Sequence, residues 1–217
     1  IGISGGIDSA VTSTLCAKTG LNTIAISMPI KQNSSQHDLS LKHLDWLKSK
    51  FSNVQTKIID LDEVFQSFEN TLKDFKNSLA FANSRSRLRM VTLYQVAQAN
   101  KGIVVGTGNK VEDFGVGFYT KYGDGGVDIS PIADCTKTDV WNIAKSLGVI
   151  NEIIEAAPTD GLWDDGRNDE SQLGLSYKQI EEAMANPNSE YFKKYSEIRS
   201  PNLHKMKPIP VCILPKD

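Results

Sequence analysis

Cysteine is scarce in this chain, and what there is does not cluster. Cys16, Cys135 and Cys212 stand far apart in 217 residues. An odd, scattered set argues against a disulfide framework and against a zinc site, and it fits free thiols in a reducing cytoplasm. Histidine is as sparse, with three residues at no ligand spacing. Long apolar runs are missing too. No stretch approaches the roughly 18 to 20 apolar residues of a membrane-spanning helix, and no secretory signal opens the chain. Charge of one sign is not in excess. A formal net charge of −2 gives no basis for a general affinity for nucleic acid. The opening Ile1-Gly2-Ile3-Ser4 reads as the end of a strand, so a short N-terminal segment is expected to precede it.

What is present is the composition of one soluble globular domain spanning 1–217, with 40% hydrophobic and 23% charged residues. Short apolar runs alternate with amphipathic stretches. Strands are expected over 22–28, 54–61 and 102–105. Helices are expected over 8–18, 40–51, 62–75, 87–99 and 138–147, the last stopped by Gly148. Strands alternating with helices of this length predict an α/β fold, a Rossmann-like parallel sheet flanked by helices. Ligands in such sheets bind beyond the carboxyl ends of the strands. The loops at 4–9, 28–36 and 106–112 should therefore meet in one crevice. The acidic stretch 159–171 reads either as a lid over that crevice or as a solvated loop.

The most informative string is Gly2-Ile3-Ser4-Gly5-Gly6-Ile7-Asp8-Ser9. Adjacent glycines let backbone amides turn toward an anion, Ser4 and Ser9 add hydroxyls, and the helix that follows presents its positive end. The loop lacks the Gly-Lys-Ser/Thr that handles a γ-phosphate, and it lacks GxGxxG.

This string resembles the phosphate loop of the ATP pyrophosphatases, the adenine-nucleotide α-hydrolase class. Further strings narrow the resemblance: Arg85-Ser86-Arg87-Leu88-Arg89-Met90, Gly106-Thr107-Gly108-Asn109-Lys110-Val111-Glu112, Tyr119-Thr120-Lys121-Tyr122-Gly123-Asp124-Gly125-Gly126-Val127-Asp128, Pro158-Thr159 and His204-Lys205. In that order they resemble the NAD synthetase family over most of the chain. The resemblance implies cleavage between the α- and β-phosphates of ATP, with AMP passed to a carboxylate substrate.

It also implies site residues. Gly2 to Ser9, Thr107, Lys137 and Thr159 match ATP-binding positions, with Lys137 neutralising the triphosphate. Asp8 and Glu112 match ligands of Mg²⁺, a hard cation suited to carboxylate and phosphate oxygens; Asp113 is an alternative or additional ligand. Arg87, Lys121, Asp128, His204 and Lys205 match positions that hold deamido-NAD. Arg85 and Arg89 flank Arg87 and stay open as alternatives, since on a helix 85 and 89 share a face that 87 does not. Asp128 is expected near the reacting carbonyl, where it can accept a proton from ammonia. Asp128 and Lys137 are thus the expected catalytic pair.

The implied reaction is ATP-dependent amidation of deamido-NAD to NAD with ammonia, through an adenylate, releasing AMP and pyrophosphate. No glutaminase-sized stretch is present, so ammonia is the expected nitrogen source. Two other readings stand beside it: another ligase or tRNA-modifying enzyme of the same loop class, and a nucleotide-binding module without catalysis. The resemblance further implies a homodimer with substrate at its interface. The 87–99 helix carries Met90, Val91, Tyr94, Val96 and Ala97, which fits either a partner subunit or a fully internal helix.

Overall fold

The computed structural model describes residues 1–31, 34–157 and 169–214. The chain enters through an extended segment whose Gly2 bridges Ile26 in parallel, then turns into α1 (Ile7–Lys18). β1 (Thr23–Ser27), α2 (Ser34–Lys50) and β2 (Val54–Ile58) follow, and β2 pairs with β1 in parallel, Thr23 opposite Val54 and Ser27 opposite Ile58. β1 therefore lies between the entry segment and β2. It is buried along nearly its whole length, as a strand covered on both faces should be.

α3 (Asp62–Thr71) and α4 (Ser78–Ala99) come next, joined by a short 3₁₀ turn at Lys73–Phe75. Phe65 of α3 is the centre of one core cluster, packed with Ile26, Met28, Ile30 and Leu61 beneath Leu88 and Leu93 of α4. Each side chain so buried contributes about 1.5–3 kcal/mol through loss of apolar surface to water. A second cluster unites Ile7, Ala10 and Val11 of α1 with Val140 and Ala144 of α5 (Lys137–Leu147). This packing fixes the start of α5 beside the start of α1.

The C-terminal part is helical: α6 (Asn151–Ile154), α7 (Asp169–Leu173), α8 (Tyr177–Ala185), α9 (Phe192–Arg199) and α10 (Leu203–Met206). None of these five answers to a sequence expectation, and the acidic stretch expected as a loop turns helical at Asp169. Its part from 159 to 168 lies outside the described residues.

The expected 102–105 strand is reduced to one parallel bridge between Val105 and Ile129. The reason is local. The Val104 N–H donates to the Asp128 carboxylate at 2.7 Å rather than to a neighbouring strand. Three backbone bonds remain between the two segments: the Gly106 N–H to the Ile129 carbonyl at 2.8 Å, and the Asp128 and Ile129 N–H groups to the Val104 carbonyl at 3.0 and 3.4 Å. α4 is longer than expected because Asn77 caps it, accepting from the Ala80 N–H at 2.9 Å.

Candidate active site

The glycine loop has the shape its sequence requires. Gly5 sits at φ +91°, where a side chain would be strained. Gly6 caps α1 without a side-chain hydrogen bond, so the first-turn N–H groups point out with the positive end of the helix. The serines brace the loop from inside. Ser9 Oγ accepts from the Ser4 N–H at 3.2 Å and donates to the Gly6 carbonyl at 2.9 Å, while Ser4 Oγ accepts from the Gly6 N–H at 3.1 Å. Gly2 and Ile3 belong to the entry segment and Ile7 to the core, so these three shape the loop through backbone and packing.

Beside the loop lies a buried cluster of opposite charges. Lys137 is 2% exposed, and its Nζ donates to Asp8 Oδ2 at 2.6 Å and to Glu112 Oε1 at 2.8 Å. Lys137 is placed by a capping box, in which Thr136 and Asp139 hold each other's backbone N–H at the first turn of α5. Glu112 stands on a π-helical turn, Lys110–Val116, a geometry that recurs at functional sites. Asn109, fully buried, caps that turn by accepting from the Val111 and Glu112 N–H groups and donates to Asp8 Oδ1 at 3.1 Å. One amide thus fixes the Asp8 carboxylate and the backbone of Glu112.

Burial works against every charge here, and the pairing decides which charges survive. For Lys137 desolvation is outweighed by Asp8 and Glu112, and the ammonium is held well above its ordinary pKa. Glu112 is held below the usual range, because Lys137, Tyr177 and Asn109 outweigh its desolvation. Asp8 is pushed up by burial, against the pull of Lys137 and with the Glu112 charge adding to it. Two carboxylates share one ammonium, so the pair is short of positive charge. A single cationic centre reaches both, which is the requirement for a metal ion at this point. Among the described residues no group of three or more His, Cys, Asp or Glu has metal-ligand geometry. A divalent cation here would complete its shell with phosphate oxygens or water.

A cavity of about 200 Å³ opens next to this cluster, lined by Gly108, Asp113, Tyr119, Asp124 and Lys205 among others. A Cβ at Gly108 would meet Asp113 Oδ2 at 1.9 Å, so a larger residue there would displace the Asp113 side chain. Burial raises the Asp113 carboxyl well above its ordinary range, and Asp124, Glu112 and Asp8 push it further. Asp124 is also raised by burial, although Ser86 Oγ donates to it at 2.6 Å and the Thr120 N–H at 3.0 Å. Asp113 faces the cavity and is not one of the Lys137 partners described above. Asp124 lay inside a quoted motif yet was not singled out from the sequence, because nothing in GDGG separates a turn residue from a cavity wall.

The cationic candidates gather on the far rim. Arg87 Nε donates to the Lys121 carbonyl at 3.4 Å, and Lys121 Nζ to the His204 carbonyl at 3.0 Å. Lys205 Nζ donates to the Gly117 and Tyr119 carbonyls at 2.8 and 2.7 Å. Of the three arginines, Arg87 is the exposed one. Arg89 is turned inward, its Nε donating to the Met28 carbonyl at 2.9 Å and its pKa lowered to about 10 by burial first and Arg85 second. Arg85 stacks over Phe65 at 6.0 Å. Asp128 stands apart from this rim, accepting from Tyr94 Oη at 3.1 Å and from the Val104 N–H. Thr107 is half-buried in the turn between Val105 and the π-helical turn, and Thr159 lies outside the described residues.

A parallel α/β sheet, a glycine loop at the first helix and an acidic pair bridged by one cation define the adenine-nucleotide α-hydrolase class. Residues 1–208 match the family pattern described as NAD synthase, and the chain belongs to that family. It is 41% identical over 211 residues to the NH(3)-dependent NAD(+) synthetase of Mesoplasma florum, covering 95% of this chain and 82% of that protein. It is 38% identical to the NH(3)-dependent NAD(+) synthetase of Saccharolobus solfataricus, covering 100% and 74%. Among solved structures, the NMN synthetase from Francisella tularensis superposes with a TM-score of 0.88 at 31% identity, over 100% of this chain and 88% of that one.

Proposed function

We infer that this chain is an amide-forming ligase that converts deamido-NAD to NAD with ATP and ammonia, releasing AMP and pyrophosphate. The observation that carries the reading is the Asp8–Lys137–Glu112 cluster at the mouth of the glycine loop, in a member of the NAD synthase family. A carboxylate is a poor electrophile, and adenylation gives it a leaving group. An oxygen of the nicotinate carboxylate attacks the α-phosphorus, and the bond to the β-phosphate breaks. The N–H groups of the Ser4–Ser9 loop receive the departing pyrophosphate, and the Lys137 ammonium neutralises the charge that builds there. Ammonia then attacks the acyl carbon, loses a proton, and AMP leaves with the former carboxylate oxygen.

The finer assignments follow the family resemblance. Asp8 and Glu112 are the residues that would hold Mg²⁺, which supplies further positive charge to the triphosphate. Thr107 and Thr159 are assigned to ATP. Arg87, Lys121, His204 and Lys205 are assigned to the pyrophosphate and carboxylate of deamido-NAD, and Asp128, which stands apart from that rim, is assigned to the same substrate. Asp128 is assigned to accept the proton from ammonia. Asp124 is the second candidate for that step, since it lines the cavity and burial raises its carboxyl above the ordinary range. A cytoplasmic setting fits the free thiols Cys16, Cys135 and Cys212.

One specific likeness favours a second reading, in which the amidated carboxylate belongs to nicotinate mononucleotide; the superposition with an NMN synthetase supports it. Both readings are tested in one assay of the purified protein. The expected result is NAD and AMP from deamido-NAD with ammonium salts, faster as pH rises and ammonium gives up its proton, with little gain from glutamine. Faster turnover of the mononucleotide would establish the second reading, and no AMP from either would reject both.

The dinucleotide is long, and we assign its second half to a partner subunit in a two-fold dimer. α4 supports this: in a 22-residue helix only Ala82 and Ser86 are buried, while Leu79 and Val91 are 59% and 56% exposed. Such a C2 interface puts the same patch on both subunits. Tyr94→Glu should weaken dimerisation and, through Asp128, deamido-NAD binding, with part of the ATP binding retained. Sedimentation of the wild type as an active monomer at micromolar concentration would exclude this assembly.

A further inference from the structure

Tyr177 is the first residue of α8, distant in sequence from the loop motifs, and its side chain is among the largest of the fully buried ones. Ser176 and Gln179 form a capping box that starts the helix at this residue, and the Tyr177 N–H donates to Glu170 Oε1 at 2.9 Å. The ring packs edge-on against Trp141 of α5, with centroids 6.0 Å apart. The ring and its backbone are therefore fixed from two sides before the hydroxyl is considered.

That hydroxyl donates to Glu112 Oε1 at 2.6 Å. It is the same oxygen that accepts from Lys137 Nζ at 2.8 Å. The Lys137 ammonium also lies over the Tyr177 ring, 5.0 Å from its centroid. A buried tyrosine needs a partner for its O–H, and a backbone carbonyl would serve that need as well. Here the donor is spent on a carboxylate that already has a cation. Two donors converging on one oxygen fix the carboxylate plane, and one of them is a side chain that must leave Glu112 if Lys137 is to reach a triphosphate. The other cannot leave, because the ring is locked against Trp141. The same helix also holds the lysine from the opposite side, since Glu181 of α8 accepts from the Thr138 N–H and Oγ1 at 3.0 and 2.9 Å.

We propose that Tyr177 is a positioning residue of the site, whose hydroxyl holds the Glu112 carboxylate in its metal-binding orientation while Lys137 exchanges between Glu112 and the nucleotide. The proposal rests on the reading of Asp8 and Glu112 as the metal pair, and its test separates the two. Mn²⁺ is the probe, followed by electron paramagnetic resonance with the full chain and a non-hydrolysable ATP analogue. Tyr177→Phe keeps the packing and removes only the donor. Its Mn²⁺ affinity should fall by roughly tenfold, the lower end of what loss of an outer-shell partner costs. Activity lost in the variant should recover as Mg²⁺ is raised, with KM for deamido-NAD little changed. Asp8→Asn is measured beside it and should lose Mn²⁺ binding outright.

An unchanged Mn²⁺ affinity in Tyr177→Phe, with Asp8→Asn defective, overturns the role of Tyr177 and leaves the metal pair standing. Unchanged affinity in both overturns the metal pair and the proposal with it. A lowered melting temperature with unchanged Mn²⁺ affinity marks Tyr177 as a packing residue and overturns the proposal as well. Where the phenylalanine variant fails to fold, Glu170→Ala takes its place. Glu170 is exposed and its carboxylate accepts from the Tyr177 N–H, so a smaller shift in the same direction is expected, and no shift overturns the proposal.

Discussion

Asp8→Asn should cost at least about a hundredfold in kcat/KM, the scale of losing one fixed electrostatic group in an active site. The substitution keeps the volume and keeps one acceptor for Asn109, so the loop and α1 should stay in place. What it removes is half of the negative charge that faces Lys137 at 2.6 Å. Two consequences follow together. The metal pair is reduced to Glu112 alone, and Lys137 is left with one partner and a stronger hold on it. The nucleotide then meets fewer charges in the right place, so KM for ATP should rise along with the fall in kcat. Steady-state kinetics at saturating Mg²⁺ checks this. Near-normal turnover of the purified variant would remove Asp8 from the chemistry.

Lys137→Met should be as damaging to activity and more damaging to stability. Methionine matches the stem of lysine and lacks the ammonium. The loss in kcat should be on the order of a hundredfold to a thousandfold, since the charge that stabilises the departing pyrophosphate goes with it. In the free protein, Asp8 and Glu112 are left facing each other below the surface. Breaking a buried pair by removing one partner typically costs about 3–5 kcal/mol. For a chain of this size, at about 2–4 °C per kcal/mol, the melting temperature should fall by roughly 10 °C. Divalent cation should restore part of that loss, because it can stand where the ammonium stood. A thermal scan of wild type and variant, each with and without Mg²⁺, reads the result. A variant as stable as the wild type would mean that Lys137 is not the charge that holds this pair together.

The glycine loop was legible because its signals are local. SGGIDS carries a positive-φ glycine, a helix start and an acid within a few residues, and each has one physical reading. Lys137 was expected just before a helix starting at 138, and the Thr136–Asp139 capping box instead makes it the first residue of α5. Glu112 and Arg87 were named through the family resemblance, since helical spacing shows only that 85 and 89 share a face that 87 does not and leaves the three arginines open. Asn109 and Tyr177 were not legible. Their bonds to Asp8 and Glu112 span 101 and 65 residues in sequence. Nothing about an asparagine after a Gly-Thr-Gly turn, or a tyrosine at a helix start, says which acid it will meet. The 102–105 strand failed for a related reason: the Asp128 side chain takes a backbone donor that the apolar pattern assigns to a ladder. Short C-terminal helices such as α10 were missed because four residues are too few for a helical period to show.

The central claim is that the carboxylate of the substrate, and not a phosphate exchange elsewhere, is activated at the loop beside Asp8, Lys137 and Glu112. Deamido-NAD labelled with oxygen-18 in the nicotinate carboxylate tests this directly. The carboxylate oxygen that attacks the α-phosphorus must leave with AMP when ammonia displaces it. Mass spectrometry should find one labelled oxygen in each AMP formed and none in the pyrophosphate. Label in inorganic phosphate, with ADP as the nucleotide product, would show attack at the γ-phosphorus and would contradict the account.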